Sequence, residues 1–201
     1  MKTQIISGSH RANSQSMRVA QYLKSRIVGK GGTASITDLS HSKLPLWDEG
    51  VWAGEESWKQ VWSPIEAELK AADSLIVISP EYAGMASPAL KNFFLFCGGD
   101  LLAHKPALLV SVTVSVTNGA YPIQELRGSG YKNSHLLYLP EHLIVREVEH
   151  RFHGETASGE ADGYLRKRAG YCLDLLSHYE KALLQVRQSG VVNLQDYPFG
   201  M

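Results

Sequence analysis

The stretch Ile5-Ile6-Ser7-Gly8-Ser9-His10-Arg11-Ala12-Asn13-Ser14-Gln15-Ser16 holds the residue types best placed to do chemistry. Two isoleucines lead into a turn of small hydroxyl residues with one arginine, and helix-forming sequence follows. A helix starting there leaves its first backbone N–H groups unpaired at the positive end of its dipole, which favours a phosphate. The hydroxyls of Ser9, Ser14 and Ser16 can donate to phosphate oxygens, and Arg11 can grip them with its two-pronged guanidinium. Taken locally, the same residues fit a capped helix with a solvated arginine equally well. Two further loops tilt the reading towards a phosphate-bearing cofactor.

Positioning such loops requires a regular frame, and the chain alternates strand and helix patterns. Short apolar runs at Thr3–Ser7, Thr33–Asp38, Leu75–Ile78, Ala107–Val116 and His142–Val145 read as strands, the third buried on both faces. Helices are expected from about Ser14 to Val28, Pro64 to Ala72 with Ser63 as N-cap, Pro88 to Phe96, Ala120 to Lys132 and Asp162 to Gln188. In the last of these Leu165, Ala169, Cys172, Leu176, Tyr179 and Leu183 step by three and four, an apolar stripe that packs on the sheet or, in part, on a partner subunit. Five strands alternating with five helices predict an α/β fold, a doubly wound five-stranded parallel sheet with helices on both faces. The 201 residues suffice for one well-packed domain and are too few for two ordinary ones, so 1–201 is read as a single domain.

Composition narrows the partners. Lys plus Arg number 20 and Asp plus Glu 20, a formal charge of zero, which argues against nucleic acid and anionic membrane surfaces. No long apolar run marks a membrane span and no signal peptide is read. The two cysteines, Cys97 and Cys172, are far apart and unpaired in pattern, which points to buried small hydrophobes and a cytoplasmic location. All four tryptophans (Trp47, Trp52, Trp58 and Trp62) fall between Pro45 and Trp62. That concentration fits a lid over an aromatic ligand, a subunit contact or a satellite cluster under a loop.

In an open parallel sheet, ligands bind beyond the carboxyl ends of the strands where the strand order reverses. Three loops should meet there: the one above, Ser79 to Phe93 after the third strand, and Ser115 to Ala120 after the fourth. Together, G-S-x-R-x-x-S at Gly8–Ser14, P-E-Y-x-G at Pro80–Gly84 and P-A-L-K-N-F at Pro88–Phe93 resemble the NADPH-dependent FMN reductases of the flavodoxin-like superfamily, which include quinone, azo-dye and chromate reductases. The resemblance runs from Lys2 to about His150. It implies that Ser9, Arg11, Ser14 and Ser16 contact the FMN phosphate, and that Pro80, Glu81, Tyr82 and Gly84 lie beside the isoalloxazine. Asn118 and Gly119 would stand on its other flank, with Gln15, Ala83 and Ser115 completing the contact set. Many relatives carry Asn where this chain has Ala83, and often Asn at Ser16. Their third loop usually shows a Gly-Gly pair in place of Asn118-Gly119.

The lone glycine of the first turn suits a mononucleotide better than a dinucleotide, whose site calls for G-x-G-x-x-G. The resemblance implies an FMN-dependent oxidoreductase that passes hydride from NADPH or NADH, bound transiently, to quinones or similar small-molecule acceptors. The flavin carries the chemistry, so no catalytic side chain and no metal are assigned. A non-enzymatic flavodoxin-type electron carrier is the alternative, disfavoured by the neutral charge. A homodimer or homotetramer is expected, the neighbour helping to cover the flavin. His150 and His153 with Glu147, Glu149 and Glu155 are read as a solvated loop in preference to a metal site. No G-x-S-x-G elbow or H-E-x-x-H pair is present.

Overall fold

A computed structural model describes residues 1–200. Strands β1 (Lys2–Ser7), β2 (Thr33–Asp38), β3 (Ser74–Pro80), β4 (Pro106–Val112) and β5 (Leu137–Val145) form one parallel sheet in the order β2-β1-β3-β4-β5. The chain leaves β1 for one edge and returns to β3 on its other side, so the switch point lies between β1 and β3.

Helices α1 (Gln15–Gly29) and α7 (Glu160–Gln188) cover one face, and α3 (Glu56–Ala71), α4 (Pro88–Leu95), α5 (Gly99–Leu102) and α6 (Ala120–Arg127) the other. A further single turn, α2, spans Gly50–Ala53. Alternation along the central strands divides the core. Ile5, Ile76, Ile78, Leu108 and Val110 meet Val19, Leu23 and Ile27 of α1 and Cys172 and Leu176 of α7. Ile6, Leu75, Val77 and Leu109 meet Ile65 and Leu69 of α3, Leu90 and Phe93 of α4 and Ile123 of α6. Both cysteines are buried and free. From Leu165 to Tyr179 the α7 stripe packs on the same face of the sheet as α1.

The elements depart from expectation at their ends. Helix α3 begins at Glu56, so Ser63 and Pro64 lie inside it. Trp58, Trp62, Ile65 and Leu69 step by four, three and four on one face, a signal the proline obscured. Strand β4 stops at Val112 because Thr113 Oγ1 accepts the Ser115 N–H (3.2 Å) and turns the chain. Strand β5 begins at Leu137, its first half hidden by Pro140, which an edge strand tolerates. There Arg127 donates to the carbonyls of Leu139 (2.6 Å) and Pro140 (3.1 Å). Helix α6 ends at Arg127, short of Lys132.

Candidate cofactor site

The cradle is built where β1 hands over to α1. Gly8 donates to Ile78 O (2.8 Å), and a Cβ at Gly8 would sit 2.5 Å from that oxygen, so only glycine lets the loop cross β3 so closely. Asn13 takes a positive φ of 54°, which its short polar side chain tolerates. Ser14 then caps α1, accepting the Met17 N–H (3.1 Å). The capped-helix reading therefore holds for Ser14, and the cap leaves the Gln15 and Ser16 amides of the first turn without intrahelical acceptors. Beside them Ser16 is 1% exposed and its hydroxyl has no partner.

The β3–α4 loop forms the facing wall. Glu81 donates its N–H to Val112 O (3.0 Å), which stitches the loop to β4. Tyr82 and Met85 then exchange backbone hydrogen bonds (3.1 and 2.9 Å) around Ala83 and Gly84, at φ 50° and 74°. A two-residue turn with both central φ values positive favours Asn-Gly. The asparagine usual in relatives at position 83 thus has a backbone reason, independent of any contact to flavin. Ala83→Asn is expected to stabilise the chain by about 0.5–1 kcal/mol, measured by chemical denaturation. Tyr82 closes the wall: its OH hydrogen-bonds Ser9 Oγ (2.9 Å), which also accepts the Arg11 N–H (3.1 Å).

These walls enclose a cavity of about 260 Å³ at the carboxyl ends of β1 and β3. Of the residues singled out in the sequence, Ser9, Arg11, Ser14, Gln15, Ser16, Pro80, Glu81 and Tyr82 line it. Ala83, Gly84, Ser115, Asn118 and Gly119 do not. Ser115 Oγ turns into its own loop, accepting the N–H groups of Thr117 (3.2 Å) and Asn118 (3.3 Å). Both carboxylate oxygens of Glu81 are buried without a partner.

Asn13, Val112, Thr113, Val114, Val148 and Glu149 complete the lining and were not anticipated. The last two arrive on a segment, residues 147–159, that the sequence presents as a charged loop. It includes a 3₁₀ turn at Val148–His150 and the positive-φ residues Glu147 (45°), Phe152 (60°) and Gly154 (60°). Asp162, fully buried in the first turn of α7, accepts the N–H groups of Phe152 (2.8 Å) and Ser158 (3.1 Å) and Nε of Arg166 (2.8 Å). Burial pushes its carboxyl up, yet the Phe152, Arg166 and Ser158 hydrogen bonds outweigh this and hold it below the ordinary carboxylate value. Arg18 of α1 donates to the carbonyls of Arg151 (2.5 Å) and Val148, and Phe152 stacks on Tyr22 (centroids 4.0 Å apart). The segment is a strap pinned to the helix that holds the cradle. No local pattern could have revealed it, because its partners lie more than a hundred residues away or in the following helix.

Elsewhere, His153 Nε2 is 2.7 Å from Glu149 O, and Glu147 pairs with Arg151. Among the described residues, no three His, Cys, Asp or Glu gather as metal ligands, and no helix is long and apolar enough to cross a membrane. The tryptophans divide. Trp58 and Trp62 pack on Phe96 and Phe93 as a satellite cluster. Trp47 meets a 78% exposed Trp52 edge-on, and Asn92 of α4 anchors the segment by bonding Trp47 N (2.9 Å) and Pro45 O (2.8 Å).

A doubly wound sheet with two open helix-head amides and an orphaned hydroxyl at its switch point defines an α/β protein suited to a mononucleotide. The model of the NADPH-dependent FMN reductases matches residues 1–150, and the chain belongs to that family. It is 28% identical over 131 residues to an NADPH azoreductase of Bacillus sp. (strain OY1-2), covering 64% of this chain and 68% of that one. It is 30% identical over 128 residues to an FMN-dependent NADPH-azoreductase of Staphylococcus aureus (strain USA300), covering 63% and 68%. The flavoenzyme NAD(P)H:(acceptor) oxidoreductase FerB from Paracoccus denitrificans shares the fold with a TM-score of 0.62 at 18% identity, over 92% of this chain and 98% of that one. So does an FMN-dependent NADH-azoreductase from Bacillus anthracis in complex with FMN (0.54, 14%, 92% and 99%). The fold is flavodoxin-like, and the protein is an NAD(P)H-dependent FMN oxidoreductase serving a small-molecule acceptor. Its residues fit the cofactor. The open amides and the Ser16 hydroxyl suit a phosphate, and the Glu81 oxygens suit the N–H and O–H donors that a flavin and its ribityl chain carry.

Proposed function

We propose that the chain, acting as one FMN-binding domain, reduces quinones and related two-electron acceptors with electrons from NAD(P)H. The buried, partnerless Ser16 hydroxyl beside the open amides of α1 carries this reading, because a buried hydroxyl without a partner costs stability until a ligand satisfies it. Ser16, the Gln15 and Ser16 amides and Arg11 hold the phosphate, Ser14 keeps the helix head capped, and Ser9 ties Tyr82 to that cradle. Pro80, Glu81 and Tyr82 wall the ring on one side, with Val112–Val114 and the strap on the other. Ala83 and Gly84 set the turn that aims Tyr82, and Ser115, Asn118 and Gly119 shape the flank. FMN held there would supply the two-electron redox chemistry between the nicotinamide and the acceptor. The protein's part is to position the ring. The exposed Met85 and Tyr121 near the Tyr82 turn would then be covered by a second copy; a monomer in sedimentation at working concentration removes that part.

The test is direct. Purified protein should show the flavin absorption band, bleach with NADPH under anaerobic conditions and recover on adding a quinone. Protein that holds flavin without turning over a quinone would instead be an electron carrier, which the family membership and the neutral charge argue against. Arg11→Ala should lower flavin occupancy and leave the fold intact by circular dichroism; unchanged occupancy would remove the phosphate assignment. Ser16→Ala should weaken FMN binding about tenfold yet raise the flavin-free Tm by a few degrees, since it deletes an orphaned group worth about 1 kcal/mol. Equal FMN affinity in that variant would refute its role.

A further inference from the structure

Beside the cofactor cavity lies a second one of about 180 Å³, lined by His10, Leu39, Ser42, Lys43, Leu44 and Ala89. The two share a wall. His10 sits between Ser9 and Arg11 of the cradle, and its ring packs 5.1 Å from the ring of Tyr82, which faces the first cavity. The loop after β2 is tied to this wall through Leu39 N–H on Ser7 O (3.1 Å). At well under the roughly 300 Å³ of a small whole-ligand pocket, it suits one end of a molecule whose other end lies elsewhere.

Its chemistry is one-sided. The Lys43 ammonium makes no ion pair among the described residues. The neighbouring acid, Asp38, is already engaged by Ser40 N (3.0 Å), Ser40 Oγ (2.9 Å) and His41 Nδ1 (2.9 Å), so it does not compete for the lysine. Ala89 stands in the first turn of α4, whose Ser87 provides no side-chain cap, so the positive end of that helix lies beside the cavity. Ser42 and His10 add hydroxyl and imidazole donors. Leu39, Leu44 and Ala89 supply the apolar remainder. An ammonium, two neutral donors and a helix head around an apolar floor recognise a tetrahedral anion carried on a flat ring.

We propose that this cavity is the subsite for the 2′-phosphoadenosine end of NADPH, with Lys43 as the specificity-determining residue that separates NADPH from NADH. The proposal rests on the FMN reading, because that reading places the flavin ring, which the nicotinamide must reach, against Tyr82 across the shared wall. The nucleotide would bridge the two cavities, its ring end at the flavin and its 2′-phosphate at Lys43. Charge-assisted hydrogen bonds to the phosphate then exist for NADPH alone.

Lys43 is exposed and outside the cofactor cradle, so Lys43→Ala should fold and retain flavin. With FMN-loaded enzyme at matched flavin content, the variant should raise KM for NADPH about tenfold and leave KM for NADH and kcat with NADH unchanged. Lys43→Arg should restore most of the preference. Calorimetric titration with adenosine 2′,5′-bisphosphate should show tighter binding than adenosine 5′-phosphate to the parent, and that difference should vanish in Lys43→Ala. An unchanged NADPH-to-NADH ratio in Lys43→Ala, or equal binding of the two nucleotides by the parent, overturns the proposal. The titration is run on flavin-free protein as well, so a failure to hold FMN is read separately from a failure of this subsite.

Discussion

Asp162→Ala is expected to destabilise the protein by about 3–5 kcal/mol and to release the wall that Val148 and Glu149 give the cofactor cavity. The carboxylate is fully buried and accepts from Phe152 N, Ser158 N and Arg166 Nε, so its removal strands two amides and Nε of Arg166, whose other nitrogens keep the carbonyls of His153, Gly154 and Glu155. For a chain of this size the loss corresponds to a Tm drop on the order of 10 °C. Below that Tm the sheet and α1 remain, because α1 packs on β1 and β3 through Val19, Leu23 and Ile27 in addition to its contacts with the strap. The second readout is therefore FMN affinity at low temperature, by fluorescence quenching, together with protease cleavage between residues 147 and 159. FMN should bind more weakly and the strap should be cut sooner; full affinity in a folded variant would show that the strap does not support the site.

The same carboxylate gives a pH dependence. Its folded pKa is held below the ordinary carboxylate value. The strap's anchorage is thus fully present above about pH 3.9 and is lost as pH falls through the lower folded value. Flavin release in strong acid should precede loss of the helical signal in the parent, and this gap should close in Asp162→Asn.

Gly119→Ala is expected to cost about 3 kcal/mol and to distort the flank of the site. Gly119 takes a φ of 106°, which an L side chain strongly disfavours, and a Cβ there would stand 2.3 Å from Ile144 Cγ2. Ile144 lies on β5 beside the turn that feeds the strap, so relief by moving it shifts the neighbouring wall. A drop in Tm of several degrees, with a weakened FMN titration at temperatures where the protein is folded, is the predicted result. The control is Gly159→Ala, where a Cβ meets nothing within 4 Å. If Gly119→Ala behaves like that control, the flank is not constrained as described.

The part of the candidate site that the sequence brings to one cavity is local. Gly8, Ser9, Arg11, Ser14 and Ser16 lie within one strand-to-helix handover, where spacing along the chain is spacing in space, and Pro80–Tyr82 follow a strand whose unbroken apolar run marks it as central. The doubly wound sheet was legible for the same reason, since alternation of buried runs with 3.6-residue stripes dictates which faces must be covered. Element ends were less so: Pro64 disguised a helix and Pro140 a strand, because propensity yields to packing at Trp58 and Trp62 and to an edge position at β5. Tertiary structure alone could show that a charged loop becomes a wall through Asp162 and Arg18, that Ser115 spends its hydroxyl within its own turn, and that His10 faces a different cavity from its neighbours Ser9 and Arg11. Each of these depends on hydrogen-bond partners and side-chain directions set when distant segments pack, and no pattern of residue types along the chain encodes such pairings.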